Sequence, residues 1–201
     1  MNLRVIIPVK PFGQAKQRLA PALQPAERAR LAERMFRHVL GTASVAFGHA
    51  NILVVCSSSD VCAIAKSEGA IGIREMGLPD LNAAIAQAAT FAGNSGASMH
   101  LVLASDLPFL EQSDLIDLAA YGCAIAPDRH ERGTNALLWP PHLPFEFGEG
   151  SFARHRGTAE RAGFKPYICL RRGLAHDIDV PDDLRELYPN LARSSGSTRS
   201  A

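Results

Sequence analysis

Apolar residues follow two rhythms along this chain. Val5-Ile6-Ile7 and Ile52–Cys56 are short continuous apolar runs, and residues 99–104 are a third, interrupted only by His100. They are largely β-branched or aliphatic, the composition of strands covered on both faces. Between them the spacing turns helical. Leu31, Met35 and Val39 recur at i, i+4 and i+8 behind Pro25 and Glu27, which suit a first turn. Ser59 or Asp60 caps a short helix that Gly69 ends, and 82–92 is an Ala-rich helix able to pack closely on a sheet. Residues 70–74 read as a weak strand and 111–121 as a helix. Further on, Ala124–Pro127, Thr134–Trp139 and 167–171 read as strands, with 177–179 closing the sheet. A helix starts at Gly148-Glu-Gly-Ser151 and runs to about residue 162, and a last one spans 181–188.

The first half thus alternates strand and helix, which predicts parallel strands joined by right-handed crossovers. The second half has strands without full crossovers. The expectation is one α/β domain over residues 1–190, with a mixed, mostly parallel sheet flanked by helices. Residues 191–201 are Ser, Gly and Arg with few apolar anchors and are expected to be a disordered tail.

Composition narrows the function classes. The 201 residues suffice for one sizeable domain. A formal net charge of +1 argues against a nucleic-acid or membrane surface. There is no apolar run long enough to span a bilayer and no secretory leader pattern. Cys56, Cys62, Cys123 and Cys169 make no C-x-x-C pair or zinc spacing; Cys56, Cys123 and Cys169 sit in apolar runs and are expected to be buried thiols, and a reducing, cytoplasmic compartment is expected.

Candidate chemistry sits at strand ends. Lys10, Lys16 and Arg18 surround Gly13 in a loop just past the first strand, where open α/β sheets hold their ligands. The loop is neither a Walker A nor a G-x-G-x-x-G sequence. Its cations suit a polyphosphate; the plain alternative is a solvated loop. Asp106 follows another buried strand and is a candidate Mg2+ ligand, or else the cap of the turn before Pro108. Asp177 and Asp179 flank Ile178, so both carboxylates share one face; Asp179 also suits an N-cap. The helix start at Gly148 to Ser151 offers amide donors and a positive dipole end to an anion, with the Thr134 hydroxyl as a further donor; the plain alternative, which the residues alone favour slightly, is a Ser N-cap. Arg154 and His155 stand in reach of the same place. No G-x-S-x-G or H-E-x-x-H occurs.

Taken in order, these motifs resemble one family. Ile7-Pro-Val-Lys10 with Lys16-x-Arg18-Leu19, Ser105-Asp106-Leu107-Pro108, Gly133-Thr134-Asn135-Ala136, Phe147-Gly148-x-x-Ser151-Phe-x-x-His155 and Asp177-Ile-Asp179-x-Pro181 are similar to the 2-phospho-L-lactate / phosphoenolpyruvate guanylyltransferases of coenzyme F(420) biosynthesis. The resemblance implies a glycosyltransferase-A-like nucleotidyltransferase fold. It implies Mg2+ held by Asp106 and Asp179, an acceptor site at Thr134, Gly148 and Ser151, and base or ribose contacts near Asn82. Lys10, Lys16 and Arg18 would neutralise GTP, and the acceptor would be phosphoenolpyruvate, 2-phospho-L-lactate or 3-phosphoglycerate. A homodimer is left open. Two departures stand out: Asp80 replaces the usual Gly before Leu81-Asn82, and Glu131-Arg132 precede Gly133. The competing expectations are a cytidylyl- or molybdopterin-type transferase on the same fold, or a non-catalytic GTP-binding regulator.

Overall fold

The computed structural model describes residues 2–77 and 80–187. Seven strands form one sheet: β1 (Leu3–Pro8), β2 (Ile52–Cys56), β3 (Ile71–Arg74), β4 (Met99–Leu103), β5 (Ala124–Pro127), β6 (Thr134–Trp139) and β7 (Tyr167–Ile168). Their order is β3-β2-β1-β4-β6-β5-β7. β6 is antiparallel to both neighbours, and every other pairing is parallel. β6 is therefore the single reversed strand, and the sheet is mixed and mostly parallel as expected.

The longer helices among the described residues are α1 (Pro25–Phe47), α2 (Ser59–Ser67), α3 (Leu81–Asn94), α4 (Gln112–Ala119) and α5 (Ser151–Arg161). Gln24 and Glu27 form the capping box that starts α1. One face of the sheet is covered by α1, α2 and α4, through residues such as Phe36, Val61 and Leu115. The other is covered by α3 and α5, through Ile85, Ala88 and Phe152. Strands buried on both faces explain the continuous apolar runs of β1, β2 and β4. All four cysteines are free and buried. Among the described residues no helix is long and apolar enough to cross a membrane.

Three expectations change. Residues 177–179 are extended but join no strand, and β7 ends the sheet. β7 is also shorter than the expected 167–171. Ile178 is nevertheless fully buried, in a small cluster with Leu19, Leu31, Met35 and Leu184. Burial of one side chain, rather than a hydrogen-bonded ladder, is what keeps the two carboxylates on the opposite side. The last helix is a 3-10 turn, Pro181–Asp183, followed by Leu184–Leu187. Its start is capped by Asp183, which accepts from the amides of Asp179 and Val180 at 2.6 and 2.8 Å, not by the Asp179 side chain. The expected tail lies outside the described residues.

Candidate active site

The site forms where the chain changes direction across the sheet. β1, β2 and β3 step one way; α3 then carries the chain back to β4 on the other side of β1. Such a switch point opens a crevice at the C-terminal strand ends. The reversed strand β6 brings its first residue, Thr134, to the same edge, since Ala136 pairs with Leu103 and the Ala104 amide donates to the Asn135 carbonyl at 2.8 Å.

Past β1, two 3-10 turns, Phe12–Gln14 and Gln17–Leu19, shape the basic loop. Lys16 between them has a left-handed backbone, φ 55°. For a side chain with a Cβ that conformation costs on the order of 1–2 kcal/mol. Leu19, fully buried with Ile178, anchors the loop against residues 177–179. The lysine side chain is consequently turned inward, only 6% exposed. Its ammonium donates to Asp106 and, at 3.0 Å, to Asp179.

Asp106, Asp177 and Asp179 each present a carboxylate oxygen within 4.8 Å of the others. Burial would lower the Lys16 pKa, but Asp106 and Asp179 outweigh it and leave it raised. Asp177 is pushed up to about 6, by burial first and then by Asp106 and Asp179. One ammonium therefore does not satisfy three carboxylates. Three hard oxygen donors with charge to spare fit a divalent cation such as Mg2+.

Lys16, Asp106 and Asp179 line a cavity of about 670 Å³ whose wall also includes Lys10, Glu75 and Thr134. Lys10 is exposed and has no ion-pair partner among the described residues. Arg18 is 77% exposed and stands 3.8 Å from Asp179, a pair that solvent screens.

The residues expected to form an acceptor site are arranged differently from the expectation. Gly150 caps α5 with φ 70°, and Gly148 has φ 122°, both backbone conformations that suit glycine. The amides of Ser151 and Phe152, however, already donate to Gly148 and Arg132 carbonyls at 3.1 and 3.2 Å. The helix start is thus partly satisfied rather than a bare amide cradle. Arg154 is exposed and donates to the carbonyls of Glu146 and Glu149, and His155 is fully buried with both ring nitrogens in hydrogen bonds. Ser151 is buried too, and its hydroxyl bonds Thr134 at 3.2 Å.

Asn82 is engaged where the sequence suggested a base contact. Its amide accepts from the Phe147 amide at 2.8 Å and donates to the Phe147 carbonyl at 3.1 Å. It fastens α3 to the segment leading into Gly148. Asn135 is a residue the sequence reading left without a role. Its amide donates to Leu174 at 3.0 Å and reaches Asp177 at 3.4 Å. The signal was present: an Asn in an otherwise apolar buried strand must find partners.

A switch-point crevice with one inward lysine, a cluster of carboxylates and the Thr134 hydroxyl on its wall is the arrangement of a nucleotidyltransferase. Comparison with solved structures agrees. A nucleotidyl transferase from Methanothermobacter thermautotrophicus superposes with a TM-score of 0.64 at 13% identity, over 96% of this chain and 98% of that one. A cytidylyltransferase from Leptospira borgpetersenii gives 0.60 at 13%, over 96% and 87%. These establish the fold. The family follows from sequence: the model for "Guanylyl transferase CofC like" matches residues 3–192, and the chain belongs to that family. The chain is 40% identical to a phosphoenolpyruvate guanylyltransferase of Rubrobacter xylanophilus, over 93% of this chain and 94% of the relative. It is 36% identical to one of Sphaerobacter thermophilus, over 100% and 99%, and 32% identical to a 2-phospho-L-lactate guanylyltransferase of Methanothermobacter thermautotrophicus, over 93% and 84%.

Proposed function

We propose that the enzyme moves GMP from GTP to a phosphorylated three-carbon acid in coenzyme F(420) biosynthesis, with phosphoenolpyruvate as the first candidate acceptor and 2-phospho-L-lactate and 3-phosphoglycerate next. The observation that carries this reading is the convergence, in one cavity, of Lys10, Lys16, Asp106, Asp179 and Thr134, with an Asp177 carboxylate oxygen within 4.8 Å of those of Asp106 and Asp179. Similarity to relatives named for phosphoenolpyruvate, at up to 40% identity, sets the order of acceptors.

An acceptor phosphate oxygen attacks the α-phosphorus in line. The new P–O bond forms as the α–β bridge bond breaks, and pyrophosphate leaves with the bonding electrons. The acceptor oxygen is already anionic, so no general base is needed, and the residues supply position and charge. Lys10, unpaired among the described residues, meets the triphosphate as it enters; Arg18 adds a weaker, solvent-screened charge. Lys16 holds Asp106 and Asp179 together from within. Asp106 and Asp179, with Asp177 beside them, would hold Mg2+, which when bound neutralises phosphate charge and polarises the reacting phosphorus. Thr134 and the α5 start face the acceptor.

A donor-by-acceptor matrix scored by pyrophosphate release and product mass tests this. GTP with phosphoenolpyruvate or 2-phospho-L-lactate should give the guanylylated acid. Preference for CTP would mean a cytidylyltransferase, and GTP binding without pyrophosphate release would mean a regulator.

A further inference from the structure

His155 is fully buried on α5, beneath the acceptor side of the cavity. Its ring is held edge-on by Trp139, 5.5 Å between centroids, and by Phe147, 4.8 Å. Nε2 lies 3.0 Å from the Glu146 backbone nitrogen. An amide N–H only donates, so Nε2 is the bare, accepting nitrogen. The neutral ring then carries its proton on Nδ1, which lies 3.0 Å from Thr134 Oγ1 and donates to it.

Ser151 Oγ is 3.2 Å from the same oxygen. Ser151 is 1% exposed and has no other side-chain partner among the described residues. If Thr134 donated to Ser151, the serine proton would be buried without an acceptor, at a cost of about 1–3 kcal/mol. Ser151 therefore donates as well. Both lone pairs of Thr134 are filled from behind, and the one direction left for its own proton is outward. Of the three residues, Thr134 is the one that lines the cavity with Asp106 and Asp179.

We propose that His155 is a positioning residue which, with Ser151, fixes the Thr134 hydroxyl as an obligate hydrogen-bond donor to an anionic oxygen of the acceptor. This rests on the guanylyltransferase reading above. Neither His155 nor the Ser151 side chain touches substrate; both act through Thr134. The group facing Thr134 is a carboxylate or phosphate oxygen, which accepts, and not an ammonium, which cannot.

Two amide substitutions separate positioning from packing. In His155→Asn the amide NH2 falls near the place of Nδ1 and can still donate to Thr134. In His155→Gln the amide reaches the place of Nε2, still serves the Glu146 amide, and leaves Thr134 without its donor. Both lose the same ring contacts. His155→Gln should raise the acceptor KM about tenfold with the GTP KM little changed, the size of one lost hydrogen bond. His155→Asn should recover most of that loss at a similar melting temperature. Equal acceptor KM values in the two variants, or equal rises in both substrates' KM, would overturn the proposal. If neither variant folds, Ser151→Ala reads the same device from its other side, and a wild-type acceptor KM there would overturn it. Imidazole 15N spectra of the wild type need no turnover: a proton on Nε2 refutes the proposal, and a proton on Nδ1 supports it. A wild type that guanylylates none of the three acids would sink the functional reading and leave the tautomer test standing.

Discussion

Acid should loosen this protein through His155, and the size of the effect follows from its surroundings. Burial is the main cause that pushes its pKa down from 6.5 to about 4; Glu146 opposes this and Arg154 adds to it. Protonation would also set an N–H on Nε2 against the Glu146 amide, replacing a hydrogen bond with a repulsion. The folded pKa is depressed below the unfolded one, so between the two values the unfolded chain binds a proton that the native state refuses. The stabilising contribution is complete above about pH 6.5, shrinks as pH falls, and is gone below about pH 4. Some 2.5 pH units at 1.36 kcal/mol each give about 3 kcal/mol. That is a large share of the roughly 5–15 kcal/mol that holds a domain together. Urea unfolding of the wild type and of His155→Asn, at about pH 7 and about pH 4.5, isolates the contribution, because other carboxylates titrate in both proteins. The wild-type advantage should narrow by about 2–3 kcal/mol over that interval. Parallel curves would show that His155 charges freely in the native state and would refute the buried, neutral ring.

Other expectations concern the site directly. Asp106→Asn should lower pyrophosphate release by at least about a hundredfold while the melting temperature holds or rises, since one repelling carboxylate is removed beside Asp177; undiminished turnover at limiting Mg2+ would end the metal assignment. Lys16→Ala should cost far more rate than Arg18→Ala, on the order of ten- to a hundredfold against a few-fold, because Lys16 is buried between two carboxylates and Arg18 is 77% exposed; equal effects in steady-state kinetics would contradict this. Asn82→Ala should raise the acceptor KM more than the GTP KM, since its amide clamps Phe147 beside Gly148; the reverse pattern would restore Asn82 as a base or ribose contact.

The strands and helices were legible because each carries its own signal. A strand buried on both faces needs an apolar run; β2 is one throughout, and β1 and β4 carry one at Val5–Ile7 and Leu101–Leu103. The Leu31, Met35 and Val39 stripe had to bury one face of a helix, and it does. Cationic and acidic candidates at strand ends were legible for the same reason: polar residues just past a buried strand lie at the mouth of the sheet. The sequence also carried the family, through motifs spread over most of the chain.

Side-chain partnership was decided only by the tertiary structure. Nothing local distinguishes Lys16 from Lys10, yet the positive φ of Lys16 and the anchoring of Leu19 turn one inward to two carboxylates and leave the other outside. The pattern Asp177-Ile178-Asp179 suggested a strand because alternation is all a sequence shows; burial of Ile178 under α1 produced the same facing without a ladder. Ser151 looked like an N-cap or an anion donor at a helix start, and His155 like a residue within reach of the same anion. The reversal of β6 puts Thr134 in front of both, so their hydrogen bonds are spent behind it. A one-dimensional pattern fixes which residues are buried and which face they share. Which polar atom a buried donor meets depends on strand order and direction, and those are set by the packing of the whole sheet.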